Sequence, residues 1–437
     1  MKMCYVVVRY LVLDMGAVMG HDTICNTLSS AGYSVKLFGW SALDAYWRCQ
    51  PLPYAWLVTD ADISTLARIF DGLRFPGVDI ADAALDDKGE TWYFRCIDAP
   101  LASGFSGISH TGGNSYTSDS LNLAFKLLCF YLDGKTVRFQ DPYGIYPLLR
   151  QLRDGRYGSS APNDKVYSNR APLLSLSGGT WLDGLFPHAD RFYASMEGAL
   201  ILSRYSGDSP QPSPVEAASA VNRLSSGPPP REEAQRVFLV SLLTSPRPDL
   251  GFELLKASGF LQELWPELDL LSSVDHSKEY HPEGNVWNHT LETFRYRKSW
   301  DLRLSLGLLL HDIGKPVSAS AGNRRFAGHA EIGAGIARKF LGRLGFLPAI
   351  IGDIQYLVKN HMLPAALKRL PLIRTEEIMQ SPLFPTLMEL YRCDESSSFK
   401  GLGGYYENSA AYQAYLKNRR NPYRTSDGKK VSRLPQS

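Results

Sequence analysis

A chain of 437 residues, 44% hydrophobic and 21% charged, is too long for one ordinary core and long enough for two to three globular domains of about 150 residues each. Those proportions exclude a disordered chain and a membrane composition, and a net charge of +3 is too small to argue nucleic-acid binding by itself. The cysteines Cys4, Cys25, Cys49, Cys96, Cys129 and Cys393 form no CxxC pair. Their scatter argues against a zinc ribbon or a disulfide framework and for reduced thiols in a cytoplasmic protein.

Met3 to Met19 is apolar, but Arg9 and Asp14 interrupt it and no small-residue cleavage site follows, so no export signal is expected. No uncharged apolar window of about 18 residues occurs elsewhere, which leaves no transmembrane span and no membrane partner. Short β-like runs at Val35 to Phe38, Tyr54 to Thr59 and Thr136 to Phe139 lie among helical stretches, and predict a small α+β head over residues 1–150. Residues 151–232 read as a Pro/Ser/Gly-rich connector with short helices, densest in those residues from Ser206 to Pro230.

After Arg231 the character becomes helical. Residues 233–275 form a neck, and 276–400 a bundle in which Leu302, Leu306, Leu309 and Leu310, then Ile336, Phe340, Leu341 and Leu344, recur at helical spacing. The fold class expected is therefore α+β, a small α/β head followed by an all-α body. Residues 401–437 hold Lys417, Arg419, Arg420, Arg424, Lys429, Lys430 and Arg433 around Tyr423. This basic segment reads as a solvated, partly disordered tail, with nucleic-acid binding as the alternative.

The chemistry concentrates in the bundle. Leu308 to Leu310 runs into adjacent His311 and Asp312 and then Gly314-Lys315-Pro316, which predicts a buried helix terminus closed by Gly and Pro. A buried imidazole and carboxylate need a partner, and a divalent cation satisfies both. His289 lies at the start of a helix upstream, His329 opens another, His361 closes a fourth and Asp394 lies on a fifth. That order resembles the HD phosphohydrolase superfamily, and its six-ligand form resembles the members that hold two metals.

The ligand types suit Mn, Ni, Co, Fe, Zn or Mg, at one or two ions per chain. His289, His311, Asp312 and Asp394 form the central set, while His329 and His361 read either as further ligands or as hydrogen-bonded structural histidines. A bridging Asp312 could hold two cations about 3.5 to 4 Å apart, activate a shared water and clamp a displacement at phosphorus. Lys315 reads either as a point charge for a phosphate oxygen or as an exposed helix-end lysine.

Residues 233–400 carry a further resemblance. Gly251 to Leu255, Gly259-Phe260-Leu261, Leu264 to Leu268 and the His281-Pro282-Glu283-Gly284 segment are similar to bacterial tRNA nucleotidyltransferases with a fused HD domain. In the head, Ala31 to Asp44 resembles the family's strand and glycine-pair loop, Leu57 to Asp62 the end of its catalytic strand, and Asp141 to Gly144 its closing turn. The resemblance implies nucleotide or RNA as partner, tRNA included, and leaves the oligomeric state open. It finds no counterpart for the residues before Met19.

The head departs from the family where the family does its chemistry. Tyr54 and Trp56 stand where the resemblance implies paired aspartates for two magnesium ions, and Trp40 and Leu43 where it implies a glycine and an arginine. Asn122 to Phe125 replaces its charged triphosphate contacts, and Asp60 with Asp62, a conceivable shifted pair, reads as helix-start capping. The expectation is a degenerate head and an HD hydrolase acting on a phosphoester of a nucleotide or RNA end. Retained CCA addition and non-catalytic RNA binding are the alternatives.

Overall fold

The structure, a computed structural model, describes residues 19–47, 54–75, 81–87, 90–96, 131–133, 138–140, 190–206, 213–275, 284–320, 326–398 and 401–430. The stretches Asn122 to Phe125, Asp141 to Gly144 and His281 to Glu283 lie outside the described residues. The chain divides into two units, Met1–Val237 and Phe238–Ser437.

In the first unit the β-prone runs build a mixed sheet. Helix α1 (Met19–Ser30) leads to β1 (Val35–Phe38), then α2 (Trp40–Trp47), β2 (Tyr54–Thr59), α3 (Ile63–Ile69), β3 (Ala83–Asp87), β4 (Glu90–Cys96), β5 (Tyr131–Asp133) and β6 (Arg138–Gln140). The strand order is β3-β4-β2-β1-β5-β6. Strand β2 runs antiparallel to β1, with Lys36 opposite Val58, and parallel to β4, with Trp56 opposite Tyr93. Trp56, Leu57 and Val58 are all buried, as a central strand covered on both faces requires.

In the third β-like run expected, Thr136 to Phe139, Arg138 and Phe139 fall on β6, and the first two residues lie outside the described residues. Gly39 takes φ +65° between β1 and α2, a conformation in which a side chain would be strained. Asp62 caps α3 by accepting from the Thr65 amide at 2.6 Å, and Asp60 accepts from the Ser34 amide at 2.7 Å. Both carboxylates are thereby engaged in local structure.

The connector holds more structure than short helices. Helix α4 (Arg191–Tyr205) has fifteen residues and is buried along most of its length, capped by Asp190. Helix α5 (Pro214–Val221) follows, closed by a capping box between Ser213 and Glu216. Arg204 and Tyr205 at the end of α4 explain the burial: Arg204 forms a close ion pair with buried Asp44 of α2, and the Tyr205 hydroxyl donates to the same carboxylate at 2.9 Å. Burial pushes the Asp44 carboxyl up, against the opposing pull of Arg204.

In the second unit α6 (Glu232–Leu243), whose first residues belong to the other unit, α7 (Pro248–Ala257), α8 (Phe260–Leu264) and α9 (Pro266–Asp269) form the neck. Its core is aromatic, with Trp265 edge-on to Phe260 at 5.1 Å and to Phe340 at 6.0 Å. The half-buried Arg297 guanidinium ties this neck to the bundle, donating to the Leu243 carbonyl at 2.7 Å, the Ser245 carbonyl at 2.9 Å and the Ser305 hydroxyl at 2.6 Å. Burial lowers its pKa to about 10.

The bundle comprises α10 (Val286–Thr293), α11 (Leu302–Leu310), α12 (Lys315–Ser320), α13 (His329–Arg343), α14 (Pro348–Asn360), α15 (Leu372–Met379) and α16 (Phe384–Ser396). The leucine spacing read from the sequence falls on α11, buried from Leu304 to Leu310 and capped by Asp301, which accepts from the Leu304 amide at 2.8 Å. The basic segment differs from the disordered tail expected. Residues 403–419 form α17 (Gly403–Arg419), because Tyr412 and Tyr415 are buried and the Phe384 ring packs 4.5 Å from Tyr412. No helix among the described residues is long and apolar enough to cross a membrane.

Candidate metal centre

Five helices of the bundle converge on one buried point. His289 comes from the first turn of α10, His311 follows the last residue of α11, His329 opens α13, His361 follows the last residue of α14, and Asp394 lies near the end of α16. Asp312 follows His311 in the turn before α12. The four imidazoles and Asp312 are buried, whereas the Asp394 side chain is 25% exposed. All six side chains that the sequence singled out as ligands are brought together.

They fall into two groups, His289 with His311 and Asp394, and Asp312 with His329 and His361; within each group the donor atoms lie within 4.8 Å of one another. Asp312 stands between the two. Its Oδ2 is 3.2 Å from His311 Nε2, while its Oδ1 is 3.5 Å from His329 Nε2 and 3.8 Å from His361 Nε2. Donors sharing one ion at about 2.0 to 2.2 Å are themselves roughly 3 to 4 Å apart, so these separations fit.

The ring orientations carry the same sense. Nδ1 of His311 donates to the Leu308 carbonyl at 2.8 Å, Nδ1 of His329 to the Phe326 carbonyl at 2.8 Å, and Nδ1 of His361 to the Val358 carbonyl at 2.7 Å. Each uses the carbonyl three residues earlier, which fixes the tautomer and leaves an Nε2 lone pair facing inward. The consequence is a conflict without a cation. His329 Nε2 and His361 Nε2 face each other at 3.1 Å, and buried His311 Nε2 makes no aligned hydrogen bond. Burial lowers both His329 and His361, the latter to about 4, so near neutral pH neither ring supplies a proton to separate the pair. A divalent ion resolves all three lone pairs, and the donor set fits one.

The carboxylates are ionised. Burial pushes Asp312 up, but its positive surroundings, with the Lys315 ammonium 2.6 Å away, outweigh it and hold the carboxyl well below its usual range. In Asp394 the penalty of burial is likewise outweighed, chiefly by the His289 hydrogen bond at 2.9 Å. Lys315 is an inward lysine, its Nζ 2.6 Å from Asp312 Oδ2 and 5.6 Å from the Phe326 ring centroid.

Three supporting features carried no usable signal in the sequence. Ser397 Oγ donates to the Asp394 carbonyl at 2.7 Å and lies 3.2 Å from His289 Nδ1, so it accepts from that ring. Phe326, whose carbonyl holds His329, sits at φ +57°, a costly conformation for a non-glycine residue. Gly314 is the third, and here the expected helix-ending role is wrong. It is not in the left-handed region, and Pro316 helps to start α12. Gly314 is small because α13 crosses over it: an added Cβ would lie 2.0 Å from the His329 carbonyl oxygen and 2.6 Å from the Gly333 nitrogen. Gly314→Ala is therefore expected to push α13 away, lowering stability by about 1 to 3 kcal/mol as overpacking does and weakening metal uptake. Unchanged melting and metal content would contradict that account.

Helices offering imidazoles and carboxylates in the order His, His-Asp, His, His, Asp define an HD-type bundle. Residues 286–389 match the family model described as HD domain. Over 195 residues the chain is 34% identical to a CC-adding tRNA nucleotidyltransferase of Thermus thermophilus, covering 41% of this chain and 44% of that one. It is 36% identical over 123 residues to a multifunctional CCA protein of Halorhodospira halophila, covering 28% and 29%. A solved structure described as a CCA-adding enzyme in complex with CTP covers 97% of this chain and 90% of its own, at 11% identity and a TM-score of 0.39, a likeness too slight to carry argument. Over part of its length the chain is similar to tRNA nucleotidyltransferases, and within that part residues 286–389 match the HD domain. It spans less than half the length of the curated relatives it matches.

Proposed function

We propose that the bundle is a metal-dependent phosphohydrolase of the HD type, acting on a phosphoester of a nucleotide or of an RNA end. The observation that carries this reading is the placement of Asp312, with one carboxylate oxygen toward each group of imidazoles. His289, His311, Asp312 and Asp394 would hold one cation, and Asp312, His329 and His361 a second. Such a pair of ions supplies Lewis acidity toward a phosphoryl oxygen and lowers the pKa of water. The chain's own residues do the rest. The carbonyl-anchored imidazoles keep their orientation, and Lys315 would exchange its contact with Asp312 for a phosphate oxygen as substrate enters. Purified protein given Mn or Ni should hydrolyse bis(p-nitrophenyl) phosphate or a 2′,3′-cyclic nucleotide. Inactivity on both with every divalent metal tried would sink the proposal.

A second reading, retained nucleotidyl transfer to tRNA, is favoured by the names of the relatives. In the head, Trp56 is buried and stacked on Tyr93 with ring centroids 4.6 Å apart, and Leu43 is buried too. Trp56 cannot hold magnesium and Leu43 cannot pair with a triphosphate, so tRNA lacking its 3′ end, incubated with labelled CTP and ATP, is expected to gain no label. Extension that Asp60→Ala with Asp62→Ala abolishes would establish the second reading instead.

A further inference from the structure

We propose that residues 417–430 form a docking platform for single-stranded RNA, which deepens the hydrolase reading by naming where its RNA is held. Helix α17 ends in Lys417 and Arg419, and the chain continues through Arg420, Tyr423, Arg424, Lys429 and Lys430, all of them exposed. Six cations thus stand against one carboxylate, Asp427, in fourteen residues. Among the described residues it is Lys429 that is drawn to it, at 3.0 Å.

The segment is a built hairpin. Asn421 Oδ1 accepts from the Tyr423 amide at 2.9 Å, Arg424 pairs with Lys430 across an isolated bridge, and the Thr425 amide donates to the Lys429 carbonyl at 2.8 Å. Gly428 closes the turn at φ +87°, and Arg424 Nη1 donates to its carbonyl at 2.8 Å. This framework presents the Tyr423 ring at 63% exposure amid the cations. The Tyr423 ring is thus turned mostly to solvent on a hydrogen-bonded turn. Together with flanking cations it is the combination that stacks a base while neutralising neighbouring phosphates. An acidic peptide or an anionic membrane would use the charges and leave the ring without a base to stack on.

The platform also has a defined position relative to the candidate centre. Tyr405 lies 6.1 Å from Tyr391 and Tyr412 lies 4.5 Å from Phe384, so α17 runs antiparallel to α16. Its first turn stands beside Glu395, the neighbour of Asp394, and its basic end lies further along by about 18 Å, at 1.5 Å per residue from Tyr405. A strand held at the hairpin could reach the centre with its end.

The test uses the full chain, a fluorescein-labelled single-stranded RNA of about 20 nucleotides and excess EDTA, so that the metal centre plays no part. The triple variant Arg420→Gln, Lys429→Gln and Lys430→Gln should bind at least about 10-fold more weakly, with the slope of log affinity against log salt shallower by about 2. Tyr423→Ala should weaken binding by about 5-fold or more and leave that slope unchanged. Both variants should keep the melting temperature and the bis(p-nitrophenyl) phosphate activity of the parent, which separates failure here from failure of the hydrolase reading. Unchanged affinity in the triple variant would overturn the proposal. So would an inert Tyr423→Ala, or equally tight binding to polyglutamate or anionic vesicles.

Discussion

Replacing Asp312 by Asn is expected to leave a folded chain that holds neither cation and has lost its hydrolytic turnover. The substitution keeps the shape of a buried side chain and removes the charge, while the amide presents one oxygen where the carboxylate turned one toward each imidazole group. Loss of an outer hydrogen-bond partner already costs roughly 10- to 100-fold in metal affinity or activity, and removal of a ligand common to both groups should cost more. Elemental analysis of protein reconstituted with Mn should read close to two ions per parent chain and near zero per variant. Circular dichroism would show the helices retained. Full metal content in Asp312→Asn would refute the bridging role outright.

The second large effect separates the two groups. His361→Ala should remove about one ion per chain and cut turnover by orders of magnitude, while the ion among His289, His311 and Asp394 stays. Asp394→Ala should do the converse and empty that first group. The asymmetry follows from geometry: Asp394 Oδ1 lies 2.9 Å from His289 Nε2 and 3.9 Å from His311 Nε2, whereas His361 Nε2 faces His329 Nε2 at 3.1 Å. A His361→Ala protein with unaltered metal content and turnover would make His361 a structural residue at the end of its helix.

The six residues that converge in the bundle were legible in the sequence because few side chains suit a cation and because leucine spacing located one of the helices that present them. Val35–Phe38 and Tyr54–Thr59 coincide with β1 and β2 for a related reason: apolar and β-branched runs bounded by turn residues leave few alternatives. What supports the ligands was not legible. The Leu308, Phe326 and Val358 carbonyls that anchor three rings are backbone groups, which every residue type carries. Gly314 carried the mark of a helix end, and only the crossing of α13 reveals the steric reason for it. Helix α17 was hidden because its buried contacts come from tyrosines and Asn408 instead of aliphatic residues, so a count of apolar spacing passes over it.

The three carbonyl anchors bear on how the domain meets its ions. Each ring is oriented by its own stretch of backbone within one turn, before any ligand arrives, so little rotational freedom remains to be lost on coordination. If the site binds cations as proposed, the bundle is a receptor assembled in advance. Ion uptake should add to stability by mass action, in proportion to the logarithm of free metal over its dissociation constant, and folding should not wait upon it. In this respect the domain would differ from small zinc modules, whose chains are unfolded until the metal gathers them.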